Sequence, residues 1–249
     1  MRSPPFFWAS ASLVQLATAA YGLFDDYGVG NNFFERFDFF TGNDPTNGYV
    51  EYVNRDTAAS AGYCSNWNGL TYIGVDNTHL ASGSGRQSVR LESKSTYEHS
   101  LIVIDLAHMP GSDANAGCGI QSTDPNSFGT NFNKIGGGIY AAEISSAGIS
   151  VWFFPRGSEP WDIHSEYLNP ETWDTPTAKF WGGCNWDARF GPQRIIFDIT
   201  FCGDWAGSVW DFGSCRGRAK SCEEFVRYNP SAFRESYWLV KSLRVYKPL

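Results

Sequence analysis

Residues 136–157 read Gly-Gly-Gly-Ile-Tyr-Ala-Ala-Glu-Ile-Ser-Ser-Ala-Gly-Ile-Ser-Val-Trp-Phe-Phe-Pro-Arg-Gly, and they constrain the fold more than any other stretch. Two β-prone runs flank a short polar break at Ser145–Gly148, which predicts a β-hairpin. A four-residue loop sets Ile144 opposite Ile149, Ala142 opposite Val151 and Tyr140 opposite Phe153. Side chains alternate along a strand, so these six share one wholly apolar face, which reads as core. The other face carries Ile139, Ala141, Glu143, Ser150, Trp152 and Phe154, with Arg156 just beyond. Two environments are open for it. Rings beside a carboxylate and a guanidinium suit the floor of a sugar-binding groove. Equally, Trp152 and Phe154 could line a second core layer, with Glu143 at its rim linked to Arg156 or another cation.

A chain of such hairpins needs many aromatic and small residues and few helix formers. Ten Trp, twelve Tyr, nineteen Phe and 26 Gly against two Met fit an all-β protein. At 249 residues the chain suits one large sandwich domain. The formal net charge of −7 and the absence of any basic run exclude a nucleic-acid partner. Arg2, the apolar stretch Phe6–Ala17 and the small residues Thr18-Ala19-Ala20 read as a signal peptide over residues 1–20, with a mature domain over 21–249. The apolar stretch is too short and mixed to span a bilayer, and no later one is long enough. The expectation is a secreted, extracellular, monomeric protein without a membrane partner.

Six cysteines in an exported chain favour disulfides. There is no Cys-x-x-Cys pair and the four His are dispersed, so no structural metal and no cofactor are expected. Gly136–Gly138 lacks the Lys-Ser/Thr ending of a phosphate loop.

Further strands are predicted within Phe33–Phe40, Tyr49–Val53, Leu70–Val75, Arg86–Ser93, Leu101–Leu106, Ile195–Phe201 and Tyr237–Tyr246. In Arg86–Ser93 the polar side carries Arg86, Ser88, Arg90 and Glu92, read as solvated charges. In Ile195–Phe201 the odd positions are apolar, and Asp198 and Thr200 lie opposite. In the final strand Tyr237, Leu239, Leu243 and Val245 share a face. Ser221 with Glu224 forms a capping box and Asn229-Pro230 a stop, bracketing one helix. Residues 110–137 contain no strand pattern, an unusually long structureless stretch. Residues 158–183, rich in Pro and Trp, read as a surface excursion.

Three stretches together carry a resemblance: Ser82–Asp105, the hairpin at 136–157, and Phe197-Asp198-Ile199-Thr200-Phe201-Cys202-Gly203-Asp204-Trp205-Ala206-Gly207. With Tyr228-Asn229-Pro230-Ser231-Ala232-Phe233 and Tyr237-Trp238-Leu239-Val240 they resemble fungal glycoside hydrolases of family 16, secreted endo-β-1,3(4)-glucanases or laminarinases. The resemblance covers nearly the whole mature chain. It implies a jelly-roll β-sandwich with a concave glucan cleft, and β-glucan as partner.

The resemblance also implies a retaining mechanism with Glu-x-Asp-x-x-Glu on one strand. Retention needs two carboxyls about 5–5.5 Å apart, one ionised and one protonated. That pattern is absent. Asp105, Glu143, Glu159, Glu166 and Glu171 are the mid-chain carboxylates, and none has a partner at suitable spacing, so no catalytic residue is assigned. The family places its catalytic strand between a segment ending in His-Met-Pro-Gly and a loop like Asp113–Ile120. Here Gly111 runs through Ser112 into that loop, as an internal deletion, a splice variant or a mis-called gene product would leave it. The expectation is an incomplete sandwich without hydrolytic activity. The alternatives are a glucan-binding protein or a product without function.

The candidate substrate-binding residues are Trp205, Trp152, Phe154, Glu143 and Arg156. Trp205 follows a strand in a Gly-rich turn, where an indole either stacks on a sugar or staples the turn to the sandwich. By the same resemblance the partner of Cys118 falls in the missing block. Cys118 and Cys64 are therefore candidate reactive thiols, and Cys184, Cys202, Cys215 and Cys222 the expected disulfide formers.

Overall fold

The hairpin forms with the register that alternation dictates. In the computed structural model Ile144 pairs with Ile149, Ala142 with Val151 and Tyr140 with Phe153. The turn is tighter than predicted, because Ser145 pairs with Gly148 and only Ser146 and Ala147 lie between. The three glycines before it stop a helix and let two strands pass. Gly136 and Gly137 have φ of +78° and +89°, and the Gly137 N–H donates to the Phe132 carbonyl at 3.0 Å. A Cβ on Gly137 would lie 1.8 Å from the Leu106 carbonyl oxygen, so only glycine fits.

The structure describes residues 20–111, 120 and 122–249. Nearly all of the expected leader and Cys118 lie outside these residues. In chain order the elements are β1 (Tyr21–Asp26), α1 (Asn31–Phe34), β2 (Phe37–Phe39), β3 (Val50–Tyr52), α2 (Arg55–Ser60), β4 (Cys64–Trp67) and β5 (Leu70–Ile73). There follow β6 (Arg86–Ser88), β7 (Arg90–Ser93), β8 (Ser100–His108), α3 (Gly129–Lys134), β9 (Gly138–Ser145), β10 (Gly148–Pro155) and β11 (Tyr167–Leu168). The last are β12 (Ala178–Trp181), β13 (Ile196–Asp198), α4 (Asp204–Ser208), α5 (Cys222–Tyr228) and β14 (Trp238–Pro248).

A large sheet runs β11-β1-β14-β8-β9-β10-β12, with β5 also on β14 and β4 on β5. A small sheet runs β13-β7-β2, and β3 and β6 pair in parallel. The protein is an all-β sandwich. Its inner core sets Phe37, Leu91 and Phe197 of the small sheet against Leu106, Phe153, Val240, Leu243 and Val245 of the large one.

The opposite face of the large sheet has its own core. Leu101, Val103, Ile139, Ala141, Trp152 and Phe154 pack there against Ile163, Leu168 and Trp173. Residues 158–183 are thus not a surface excursion: their middle covers this outer face. The assignment of the hairpin's faces is also corrected. The face carrying Trp152 and Phe154 is the buried one. Of the face read as core, only Phe153 is buried, while Tyr140, Ala142, Ile144, Ile149 and Val151 are half-exposed. The reason is the width of the partner. Three short strands cover only one end of the inner face and leave an apolar cavity of about 360 Å³ bordered by Ile102, Ile104, Met109, Tyr140, Ile195 and Trp238.

Other differences are local. Arg86 is fully buried rather than solvated. Phe33 and Phe34 belong to α1, with β2 confined to Phe37–Phe39. A bulge between Leu239 and Ser242 shifts the phase of β14, so that Val240 turns into the core with Leu243 and Val245. The predicted helix forms as α5, and the Ser221 hydroxyl accepts from the Glu224 N–H at 3.1 Å.

Cys202 and Cys222 form a disulfide. Cys184 is a free, exposed thiol, so the C-terminal four do not close two bridges among themselves. Cys64 is free but buried, and burial pushes its thiol well above the ordinary range. The thiolate is the reactive form. Alkylation of native protein followed by peptide mapping is therefore expected to mark Cys184 quickly and Cys64 only after denaturation. Rapid labelling of Cys64 in native protein would contradict its burial.

Candidate functional site: the polar face of the small sheet

Alternation puts Phe37, Leu91 and Phe197 inward and sends their neighbours outward. Pairing of β2 with β7 and of β7 with β13 lines up Asp38, Glu92 and Ile196 in one row, and Arg90 with Asp198 in the next. Phe40 joins that second row through its N–H, which donates to the Arg90 carbonyl at 2.9 Å.

The charges on this face are tied together. Arg90 donates to Glu92 at 3.0 Å and to Asp198 at 3.4 Å, and its guanidinium lies 5.3 Å from the centre of the Phe40 ring. Arg194 reaches Asp38 at 4.0 Å. Tyr52 donates to Asp44 at 2.8 Å and lies 3.3 Å from Asp198. Burial, then its hydrogen bond to Asp44 and the charge of Asp198, push the Tyr52 hydroxyl far above its ordinary range. Burial would also raise the Asp44 carboxyl, but hydrogen bonds from Thr46, Gly48 and Tyr52 outweigh it and hold that carboxyl below its ordinary range.

Asp44 therefore stabilises the fold above the unfolded carboxylate pKa of about 3.9, and the contribution fades as pH falls through the lower folded value. Asp44→Asn is expected to cost about 1–3 kcal/mol at pH 7, because donors to the carboxylate lose their acceptor. The gap to wild type should narrow below about pH 4. Thermal melts across pH 2–7 check this, and a gap independent of pH would refute it.

Trp205 stands beyond β13 on α4, a short helix where a Gly-rich turn was expected, and is 45% exposed. The Asp204 N–H donates to the Thr46 carbonyl at 2.7 Å and the Asp204 carboxylate accepts from Asn47. The Cys202–Cys222 disulfide ties the approach to α4 to α5.

The other four candidates lie on the outer face of the large sheet, away from this polar face. Trp152 and Phe154 are each 5% exposed and meet Trp173 edge-on. The Trp152 indole N–H donates to the Asp174 carbonyl at 2.8 Å. Their rings offer no surface to a sugar. Glu143 accepts from the Tyr21 hydroxyl at 2.7 Å. Arg156 pairs with buried Asp105 and with Glu159, and also donates to the Leu106 carbonyl. The link considered between Glu143 and Arg156 is not made, and both have structural partners. The sequence carried a signal for the polar face in the alternation of Arg90 and Glu92 and of Asp198 and Thr200. It carried none for the pairing that brings Arg90 beside Asp198.

Among the described residues no group of three His, Cys, Asp or Glu side chains could hold a metal ion, and no helix is long and apolar enough to cross a membrane.

The two packed sheets match the fold of known glycan-active enzymes. The structure of the GH16 Laminarinase 16A from Phanerochaete chrysosporium, which holds β-glucans in donor and acceptor sites, superposes with a TM-score of 0.85 at 32% identity, covering 92% of this chain and all of that one. An elongating GH family 16 β-1,3-glucosyltransferase gives 0.81 at 32% identity, with the same coverage. The fold is thus that of the family 16 jelly-roll glycoside hydrolases. A family model for the XgeA-like, catalytic GH16 domain matches residues 37–114 and 111–246, and the chain belongs to that family.

Relatives agree. An endo-1,3(4)-beta-glucanase of Arthroderma benhamiae is 33% identical over 306 aligned positions, covering 95% of this chain and 67% of that protein. A probable endo-1,3(4)-beta-glucanase of Aspergillus niger is 34% identical over 308 positions, covering 96% of this chain and 41% of that protein. The chain therefore spans two thirds or less of these two relatives. In the first alignment 95% of 249 residues is about 237, so about 70 of the 306 positions have no residue here. The second alignment gives about the same number.

Proposed function

We propose that this chain derives from a β-1,3(4)-glucan endohydrolase, acts outside the cell, retains part of the glucan-facing surface and does not itself hydrolyse glucan. The observation that carries this reading is the break in the family match. The matched pieces meet at residues 111–114, about 70 aligned positions lack a residue, and the resemblance puts the Glu-x-Asp-x-x-Glu strand in that interval. The polar face supplies no substitute pair, since Asp38, Glu92 and Asp198 are each engaged by an arginine. The expected leader and the Cys202–Cys222 disulfide support export. Assay of the mature chain for reducing sugar released from laminarin and lichenan tests the reading.

A specific observation favours residual glucan binding: Trp205 keeps an exposed indole beyond the end of β13. A flat indole gives a sugar ring apolar area and an N–H donor. Titration of laminarin oligosaccharides calorimetrically is expected to show binding that Trp205→Ala weakens about tenfold, the equivalent of ~1.4 kcal/mol. Equal affinity in both proteins would make Trp205 a structural residue.

A further inference from the structure

The inner face of the large sheet is apolar well beyond the area that the small sheet covers. Ile104 on β8, Ala142 and Ile144 on β9 and Ile149 and Val151 on β10 are half-exposed, and Phe180 on β12 is 39% exposed. A contiguous apolar patch on the surface of a soluble protein marks an interaction site when it is large.

The small sheet is open on the same side. β13 pairs with β7 along one edge and, among the described residues, no strand pairs along the other. At that edge the Asp198 carbonyl already accepts from the Trp238 indole N–H at 3.3 Å, and the stretch beside Ile196 is, among the described residues, open to an incoming strand. Ile195 and Ile196 at this edge and Met109, the residue after β8, border one cavity. The two pieces of the family match meet only two residues further on, at 111–114.

From these three observations we infer that the open face is a seat for a separate β-strand polypeptide of up to about 70 residues, corresponding to the block that the reading above places between the two matched pieces. Its apolar side packs on Ile104, Ala142, Ile144 and Val151, and one of its strands extends the small sheet from the free edge of β13. A second copy of this chain presents the same apolar face and the same short free edge of β13, so a chain dimer is the competing outcome that the test separates. The inference rests on the reading of the gap given above, and it concerns assembly rather than catalysis.

The test co-expresses the full chain with the segment of the Arthroderma benhamiae protein that aligns to the gap. Light scattering on the eluted material reads stoichiometry, and a hydrophobic-surface dye reads exposure of the face. The expected result is a one-to-one complex in which dye fluorescence falls several-fold from that of the chain alone. Ile104→Lys places a charge in the interface and is expected to weaken the complex more than about tenfold, and because Ile104 also packs on the inner core, the melt of the free variant separates that loss from destabilisation of the chain itself. Ile144→Lys repeats the test on β9 in case the first variant does not fold.

Separate elution of segment and chain would overturn the inference. So would a complex indifferent to both substitutions, or a chain dimer that suppresses dye binding without the segment. Assembly is read in the absence of glucan, so its outcome is independent of the hydrolysis assay. A complex without activity would leave the seat established.

Discussion

Mature chain incubated with laminarin or lichenan is expected to release no reducing sugar above a buffer blank. A retaining glycosidase needs one carboxylate to attack the sugar and a second carboxyl, about 5–5.5 Å away, to protonate the leaving oxygen. On the polar face Glu92 and Asp198 both accept from Arg90 and are tied to that one guanidinium. Asp44 is held ionised by hydrogen bonds from Thr46, Gly48 and Tyr52. Acid–base catalysis alone is worth about 10²–10⁴-fold, and loss of the covalent step removes more. Turnover with retained anomeric configuration would overturn the proposal and require a carboxylate pair formed in another way.

The second large effect concerns stability. Arg86→Met is expected to destabilise the fold by about 3–5 kcal/mol, the usual cost of removing one partner from a buried charged network. The Arg86 side chain is fully buried and donates to the carbonyls of Asp76 at 2.8 Å, His79 at 3.1 Å and Val226 at 3.2 Å. Its guanidinium also lies 4.9 Å from the centre of the Phe233 ring. Burial pushes its pKa down, and the charge of Asp76 pulls it partly back. Methionine fills much of the space but leaves three carbonyls without their donor. Arg86→Lys keeps the charge but not the planar fork and is expected to fall between. Denaturant unfolding reads the difference, and a loss below about 0.5 kcal/mol would show that these contacts do not anchor the region.

These two residues, Arg86 and Arg90, show how far sequence reading reaches. Alternation set them on one side of a single predicted strand, but that strand is broken at Val89 into β6 and β7, which belong to different sheets, and alternation could not say what covers each. For Arg86 the cover is α5, about 140 residues later, and for Arg90 it is partly open solvent. The hairpin teaches the same lesson. Its register followed from local alternation, because pairing is fixed by a two-residue period. Its buried face did not, because Ile163, Leu168 and Trp173 come from a later segment. Phe33 and Phe34 looked like strand by composition, yet they form a helical turn that stacks Phe33 on Phe37. Trp205 could be singled out because its motif ends a strand, whereas the Tyr52–Asp44–Asp198 contacts join positions up to 146 residues apart.

Strand β14 occupies the middle of the large sheet, between β1 and β8, and also pairs with β5. A ribosome therefore releases these neighbours long before their common partner exists. Asp26 waits for Arg244, 218 positions later. Until then the sheet is divided, and the edges of β1 and β8 are open to other chains. A message that stops anywhere before codon 238 yields three pieces, β11-β1, β4-β5 and β8-β9-β10-β12, with no bridge between them. Order in the large sheet therefore waits on the codons for β14, and folding of so non-local a topology is correspondingly slow.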